Sequence, residues 1–408
     1  MINFLKNISN NYKSIYLGLL TALLFSAFIY FEHYAITNKL INTIFGLSAI
    51  TLFLYIPKKA VLVAGFFIGL LWFYWIGYSF KYTGVGYLTP FITLGFAVIY
   101  MLFFGVLALS KEPFIRAILL FGLSFFYPFD FNWMQIELIF INSYIGVYKY
   151  QFILLLFGLS LPYYIKKPYK YAPLILILFA LNFHYPKQTL APLKIKLVQT
   201  KIKQEKKWLR SSLIPTIDLG FNTIEKAIKN SYDVVVLPES FFPIFMNRHP
   251  LLIQELEFLS KQITIISGSL LNVKGKNYNV TYMFQDGNYT IAKKLVLVPF
   301  GEYIPLPKFA RKFINDTFFA GESDFKTAKK PTNFMIKGIK FRNAICYEAT
   351  SNELYKGDIK YMIATSNNAW FAPSIEPTIQ KLLMEFYARK NGVTIYHSAN
   401  YKGTGIIR

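Results

Sequence analysis

Three polar side chains in the second half of the chain have the chemistry needed for acyl transfer. Cys346, the single cysteine, follows an apolar run that predicts a strand or hairpin. Glu239 follows a predicted buried strand, and Lys294 lies in a strand predicted over 289–298. A cysteine can hold an acyl group as a thioester, a carboxylate can take and return the thiol proton, and an ammonium can stabilise an oxyanion. Polar residues at strand ends are a common arrangement in α/β active sites.

Each of these residues also has a simpler structural explanation. A lone cysteine is often a small buried hydrophobic residue, so Cys346 need not be reactive. Glu239 could be an exposed carboxylate at a strand end, and Lys294 could be a surface lysine like its neighbour Lys293. The four histidines show no spacing typical of a metal site or a triad, and no phosphate-binding glycine motif occurs. The sequence alone therefore leaves the roles of the three residues open.

Residues 191–408 alternate between predicted strands and helices. Continuous apolar strands separated by helices indicate an α/β domain with a well-covered sheet. The polar candidates then lie at three of its strand ends. Strands are predicted at 194–200, 233–237, 263–268, 278–285, 289–298, 334–341, 361–366 and 393–399, and helices at 222–230, 250–261 and 376–391.

The chain is too apolar for a soluble enzyme of its size, and the apolar runs of residues 1–190 predict a helical membrane domain. The whole chain is 54% hydrophobic and 16% charged, and its mean hydropathy is +0.36. About seven spans are expected, because apolar runs of bilayer length recur. The stretch 129–150 is amphiphilic and suggests a re-entrant or interfacial segment. The predicted spans are 14–34, 39–57, 60–80, 89–110, 113–129, 151–165 and 171–185.

Basic residues are distributed unevenly between the predicted loops. The formal net charge is +23, and alternate loops of the first half carry nine lysines and arginines against three in the intervening loops. Loops rich in basic residues face the cytoplasm. With seven spans, everything after about residue 186 is expected outside the cytoplasm. A lone cysteine in an oxidising compartment has no intramolecular partner for a disulfide.

Three motifs give the chain a recognisable pattern. Leu237-Pro238-Glu239-Ser240, the run from Lys294 to Pro305 and Ile345-Cys346-Tyr347-Glu348 resemble the active-site blocks of the nitrilase, or carbon-nitrogen hydrolase, superfamily. More narrowly, they resemble the apolipoprotein N-acyltransferases, whose nitrilase-like domain follows a multi-span membrane domain. The resemblance implies a multi-span α-helical membrane domain followed by an α/β nitrilase-like (αββα) domain.

The resemblance also implies roles for individual residues. Glu239, Lys294 and Cys346 match the family's catalytic triad. Four further residues match supporting or substrate-binding positions: Glu302, a second carboxylate beside the lysine; Tyr347 and Glu348, which follow the cysteine and shape the pocket; and Trp208, on a mobile loop near the substrate, although Trp208 could equally be a membrane-interface aromatic.

The sequence departs from the family pattern in a few places. The family has Asn-Asp before its Ala-Trp-Phe segment, where this chain has Asn367-Asn368, and a Gln-His pair that here is Gln380-Lys381. These changes affect fine substrate contacts rather than the triad. The family continues into more strand and a last membrane span, whereas this sequence ends at Arg408. Either the lineage lacks that span or the sequence is truncated. An intact triad and a less firmly anchored domain are expected.

The implied activity is transfer of an acyl chain from a membrane phospholipid to the N-terminal diacylglyceryl-cysteine of a lipoprotein. The expected location is the bacterial inner membrane, with the catalytic domain facing the periplasm. No metal, cofactor or nucleic-acid partner is expected, and the protein is expected to be a monomer. Two alternatives remain: a membrane-tethered amidase or nitrilase hydrolase, and a non-catalytic membrane scaffold. The apolar stretches 241–245 and 313–319 are predicted either to dip into lipid or to pack in the core.

Overall fold

The computed structural model describes residues 2–82, 84–183, 185–299, 301–303 and 325–408. The chain divides into two compact units, one of residues up to 128 with 132–185 and the other of 129–131 with 186–408. The division falls close to the predicted boundary at residue 190. The predicted stretch 313–319 lies outside the described residues.

The first unit consists of apolar helices of unequal length. Two stretches, Asn11–His33 and Gly86–Leu109, are long and apolar enough to cross a membrane, and the bent pair Lys58–Phe73 and Ile76–Tyr82 adds a third if it is one span. The count of seven spans stays a prediction. The helices are α1 (Ile2–His33), α2 (Lys39–Tyr55), α3 (Lys58–Phe73), α4 (Thr89–Gly105), α5 (Pro113–Leu123), α6 (Lys149–Ser160) and α7 (Ile175–Phe179).

Glycines on α3 allow α4 to pack closely against it. A Cβ atom at Gly65 would lie 2.6 Å from the carbonyl oxygen of Tyr100, and one at Gly69 would lie 2.8 Å from that of Phe96. The two glycines are four residues apart and therefore share one helix face. Small residues at such contacts let membrane helices approach closely, where van der Waals packing drives association.

Arg116 is not the loop cation that the charge count assumed. It lies within α5, is 1% exposed, and donates from Nη1 to the carbonyl oxygens of Phe53 at 3.2 Å and Ile56 at 2.6 Å. The last carbonyls of a helix lack intrahelical partners, and a cation there also suits the helix dipole. Arg116 thus caps the C-terminus of α2. Without it the basic residues still favour the same orientation.

The amphiphilic stretch after residue 129 is largely buried within the protein, and its re-entrant or interfacial position in the membrane stays a prediction. It forms short 3₁₀ turns, among them Ile136–Phe140, whose five residues are all buried. Glu137 is 0% exposed and forms an ion pair with Lys149 at 2.5 Å. Irregular backbone at membrane depth is tolerated where protein covers it, and here the helices of the first unit provide that cover.

The second unit contains two five-stranded sheets. In the first, β1, β2 and β3 are parallel and β4 and β5 extend it in antiparallel fashion; in the second, β7, β8 and β9 are parallel, with antiparallel β6 and β10 at its edges. The strands are β1 (Ile195–Leu197), β2 (Val234–Val236), β3 (Thr264–Val273), β4 (Lys276–Gln285), β5 (Asn288–Lys293), β6 (Asn333–Ile336), β7 (Ile339–Ile345), β8 (Tyr361–Asn367), β9 (Thr394–Asn400) and β10 (Gly405–Ile407).

The two sheets pack face to face between helices. Successive strand residues point to opposite faces, so Val234 and Val236 pack against Phe341 and Ile363 of the second sheet, while Val235 faces the helices. These strands are buried on both faces, as expected for covered parallel strands. The described helices of this unit are α8 (Gln204–Lys207), α9 (Arg210–Lys229), α10 (Pro250–Leu259) and α11 (Glu376–Asn391). The fold is the expected nitrilase-like α/β arrangement.

The structure corrects some predicted details. The strand predicted to run to residue 298 ends at Lys293, because the N–H groups of Leu295 and Val296 donate to the Glu348 carboxylate instead of a neighbouring strand. The apolar run before Cys346 is a hairpin, and β10 was not predicted. In the stretch 241–245, Phe241 and Phe242 are buried in the core, so packing accounts for both phenylalanines.

Candidate active site

The three candidate residues each follow a strand end. Glu239 comes after β2 and Lys294 directly after β5, two strands that run in the same direction in the first sheet; Cys346 directly follows β7 of the second sheet. Glu239 is 7% exposed and Lys294 is 1% exposed. The buried Lys294 is therefore not the surface lysine of the simpler interpretation. Its neighbour Lys293 lies over the ring of Tyr278 instead.

The Lys294 ammonium lies between two carboxylates. Its Nζ is 2.7 Å from Glu302 Oε2, donates to Glu302 Oε1 at 2.9 Å, and lies 4.0 Å from Glu239 Oε1. Burial acts to lower the pKa of Lys294, but Glu302 and Glu239 more than offset it, so the pKa is raised. A lysine in this setting stays charged. It can therefore stabilise negative charge that develops beside it.

Asn279 joins the two carboxylates and was not found from the sequence. Its Nδ2 donates to Glu239 Oε1 at 2.8 Å and to Glu302 Oε1 at 3.2 Å. Glu302 Oε2 also accepts from the backbone N–H of Val298 at 2.9 Å. The available signal was a buried amide within the apolar strand β4. These bonds fix both carboxylates relative to Lys294.

The backbone of Glu239 is held from two sides. Lys207, in α8, donates from Nζ to the carbonyl oxygen of Glu239 at 3.1 Å. On β3, a Cβ at Gly268 would lie 2.3 Å from the nitrogen of Ser240 and 2.6 Å from the Cα of Glu239, so only glycine fits. Burial lowers the pKa of Lys207 to about 8, although the charge of Glu239 partly opposes this.

The Cys346 thiol needs a base to become a nucleophile. Burial raises the pKa of the thiol well above its ordinary value, and Glu239 raises it further while the Lys294 charge opposes the shift. The thiol is therefore protonated at neutral pH, and a thiolate must form by proton transfer. Cys346 also has a φ of +54°, a left-handed conformation that is uncommon for this residue type.

Glu348 ties the cysteine turn to the chain that follows Lys294. Its Oε2 accepts from the N–H of Leu295 at 2.7 Å and of Val296 at 3.1 Å, and its Oε1 accepts from the N–H of Ile345 at 2.7 Å. Burial raises the pKa of Glu348 to about 7, and Lys294 and the three N–H groups limit that rise. Glu348 thus holds the turn at Cys346 next to the segment that follows Lys294.

The two predicted aromatic residues have different surroundings. The ring of Tyr347 is 3% exposed and stacks on Phe131, with centroids 6.1 Å apart. Trp208 caps the short helix α8 and is 44% exposed. Neither observation assigns a substrate contact, so both roles stay predictions.

Helix α11 brings two residues to the site whose contacts the sequence did not predict. Gln380 donates from Nε2 to Cys346 Sγ at 3.7 Å. Glu376 is 1% exposed, and burial, followed by the charge of Glu239, raises the pKa of its carboxyl well above the ordinary value. For Glu376, the available signal was an acidic residue in the first turn of a predicted helix. The local sequence does not show that this helix packs beside Cys346.

Comparisons with known proteins cover both units. The chain matches the family described as "Apolipoprotein N-acyltransferase integral membrane domain" over residues 12–183 and the family "Carbon-nitrogen hydrolase" over residues 194–403. An apolipoprotein N-acyltransferase from Wolinella succinogenes is 41% identical over 397 residues, which is 97% of this chain and 96% of that protein. The chain belongs to the apolipoprotein N-acyltransferase family.

Another member of the apolipoprotein N-acyltransferase family, from Helicobacter hepaticus, is 38% identical over 91% of this chain and 94% of its own. Among solved structures, a carbon-nitrogen hydrolase superfamily protein from Xanthomonas campestris covers 52% of this chain and 77% of its own, with 15% identity and a TM-score of 0.39. Membership of the apolipoprotein N-acyltransferase family makes this chain an integral membrane acyltransferase with a carbon-nitrogen-hydrolase catalytic domain.

Proposed function

We propose that the protein transfers a fatty acyl chain from a membrane phospholipid to the N-terminal diacylglyceryl-cysteine of bacterial lipoproteins. The family membership supports lipoprotein N-acylation as the overall reaction. The observation that carries the proposed chemistry is the buried Lys294 ammonium, which lies between Glu239 and Glu302. Its positive charge acts to lower the pKa of Cys346. This combination suits a thiol nucleophile and an oxyanion intermediate.

In the first half-reaction, Cys346 attacks the sn-1 ester of the phospholipid. Glu239 takes the thiol proton as the bond from sulfur to the acyl carbon forms, and Lys294 stabilises the oxyanion. The ester C–O bond then breaks, and Glu239 returns the proton to the oxygen of the departing lysophospholipid. The raised pKa of the thiol makes this base necessary. An acyl thioester remains on Cys346.

In the second half-reaction, the α-amino group of the lipoprotein cysteine attacks the thioester. The N–C bond forms and the C–S bond breaks, while Glu239 accepts a proton from the amine and passes it to the Cys346 sulfur. The product is an amide, and the free thiol is restored. The two half-reactions share one site, so the overall scheme is ping-pong.

The remaining predicted residues act around this centre. Glu302 keeps Lys294 charged and oriented, and Glu348 positions the cysteine turn. Tyr347 shapes the pocket next to the nucleophile, and Trp208 contacts a lipid substrate. We also propose that the catalytic domain faces the periplasm from the inner membrane, where mature lipoprotein N-termini and phospholipid are both available.

Labelled phospholipid and a diacylated lipopeptide, incubated with the purified full-length protein, test the reaction. The expected result is labelled, N-acylated lipopeptide together with lysophospholipid. Hydrolysis of small amides without N-acylation would instead identify a membrane-tethered hydrolase. A Cys346→Ala protein that retains full function in cells would identify a scaffold.

A further inference from the structure

Gln380 donates a side-chain hydrogen bond to Cys346, the proposed nucleophile. It lies on α11, is 0% exposed, and its Nε2 is 3.7 Å from Cys346 Sγ. A sulfur bond of this length is weak when the sulfur is a neutral thiol. It strengthens when the sulfur becomes a thiolate, because bonds to charged acceptors are about twice as strong as neutral ones.

The orientation of the Gln380 amide follows from its neighbours. The carbonyl oxygen of Lys402 can only accept, so the Asn368 atom that lies 2.9 Å from it must be Nδ2. That same Nδ2 lies 3.1 Å from Gln380 and must donate, so the Gln380 atom is Oε1. Gln380 is left with its N–H groups toward the sulfur. The carbonyl group of Lys402 thus fixes, through Asn368, the orientation in which the Gln380 amide presents its N–H groups to Cys346.

An N–H group that only donates favours one protonation state of the sulfur. The thiolate accepts this bond well, whereas the neutral thiol accepts it poorly. Gln380 therefore lowers the free energy of the thiolate relative to the thiol. Its effect opposes the burial that raises the pKa of Cys346.

Charged groups from several elements face the same sulfur. Lys294, after β5, favours the thiolate; Glu239, after β2, Glu302, in the loop after β5, and Glu376, on α11, oppose it. Glu376 precedes Gln380 by four residues and therefore lies on the same face of the helix. Burial raises the pKa of Glu376, so this carboxyl opposes the thiolate only when it is ionised, but Glu239 and Glu302 together already outnumber the one ammonium. The Gln380 N–H adds a donor without adding a charge.

We infer that Gln380 is a positioning residue for the Cys346 thiolate, with its amide held in the donating orientation by Asn368. The inference rests on the proposed role of Cys346 as nucleophile. Its direct consequence is a change in the pH dependence of Cys346 reactivity, which can be measured without any substrate.

Alkylation of the full-length protein by iodoacetamide, followed over pH, reports this consequence. Cys346 is the single cysteine of the chain, so all cysteine alkylation occurs at this thiol. Gln380→Leu removes the N–H with little change in volume. The pH midpoint of alkylation should rise by about one unit, which means about tenfold slower alkylation below the midpoint. Asn368→Ala leaves Gln380 in place with its amide free to turn, and should give a smaller rise.

Lys381→Gln is the matched control, because it changes the adjacent residue on α11, whose side chain is 40% exposed. Its alkylation midpoint should equal that of the wild type. Unchanged midpoints in folded Gln380→Leu and in Asn368→Ala would overturn the inference. If Gln380→Leu does not fold, Asn368→Ala decides alone. A shifted midpoint in a protein that lacks N-acyltransfer would instead overturn only the proposed function.

Discussion

At the residue scale, Lys294 depends on Glu302, whose partners among the described residues are all hydrogen-bond donors. Glu302 accepts from the Lys294 ammonium, the Asn279 amide and the Val298 N–H. A glutamine cannot accept at both of its terminal atoms. The carboxylate is therefore required for its charge and also for its pattern of acceptors.

Glu302→Gln should consequently reduce N-acylation at least a hundredfold. The substitution places an N–H against donors and removes one carboxylate from a buried ammonium. Loss of one partner of a buried ion pair lowers folding stability by about 3–5 kcal/mol. Initial rates with saturating phospholipid and lipopeptide measure the loss. Glu353→Gln is the control, since Glu353 pairs with Lys356 at 54% exposure and should keep wild-type rates. A near-normal rate for Glu302→Gln would show that Lys294 does not need this carboxylate.

At the element scale, Gly268 on β3 lets the backbone of Glu239, the proposed base, pack closely because glycine has no side chain. Gly268→Ala would place a Cβ within 2.3 Å of the backbone beside Glu239. We expect Glu239 to move away from Asn279 and Lys294, with N-acylation reduced at least tenfold, since small misplacements of catalytic groups have large effects on rate. Gly405→Ala on β10, where nothing lies within 4 Å, should leave the rate unchanged. Equal rates for the two variants would contradict the close-packing argument.

The second sheet contains a buried histidine that makes the fold sensitive to acid. His397, on β9, is 0% exposed, donates from Nδ1 to the carbonyl oxygen of Gly403 at 2.7 Å, and lies 2.8 Å from Ser366 Oγ through Nε2. Burial lowers its pKa to about 4. Between pH 6.5 and 4 the unfolded form binds more protons than the folded form, so the free energy of unfolding falls as the pH falls.

His397→Gln should therefore lose less stability in acid than the wild type. The histidine accounts for about 2 kcal/mol of the loss between pH 7.5 and 5, or several degrees in Tm. Thermal unfolding of both proteins in the same detergent, at the two pH values, measures the difference. Equal shifts in Tm would mean that His397 does not titrate differently in the folded and unfolded forms.

Much of the element pattern followed from the sequence, but contacts between distant segments did not. Apolar runs located nearly all the described strands and placed Glu239 and Cys346 after their ends. The end of β5 was missed because it depends on Glu348, more than fifty residues away. Asn279 and Lys207 were missed for the same reason, because no local periodicity encodes their side-chain contacts. Gln380 was matched only to the family's Gln-His pair, and its contact with Cys346 was not predicted. Arg116 was misassigned because its partners belong to another helix.

At the scale of the whole molecule, the orientation in the membrane remains the chief prediction. The basic residues of the first unit favour a catalytic domain outside the cytoplasm. A phosphatase that is active only outside the cytoplasm should be active in cells when it is fused after residue 190. A fusion in the loop between α2 and α3, near Lys58, should be inactive. The opposite pattern would place the catalytic domain in the cytoplasm and contradict the proposed access to lipoproteins.

The most direct test of the thioester mechanism is mass spectrometry of the protein after incubation with phospholipid alone. The mechanism predicts a mass increase of one fatty acyl chain on the peptide that contains Cys346, its loss on addition of a diacylated lipopeptide, and no adduct in Cys346→Ala. N-acylated lipopeptide formed with no acyl adduct on Cys346, or formed by Cys346→Ala, would contradict the thioester mechanism.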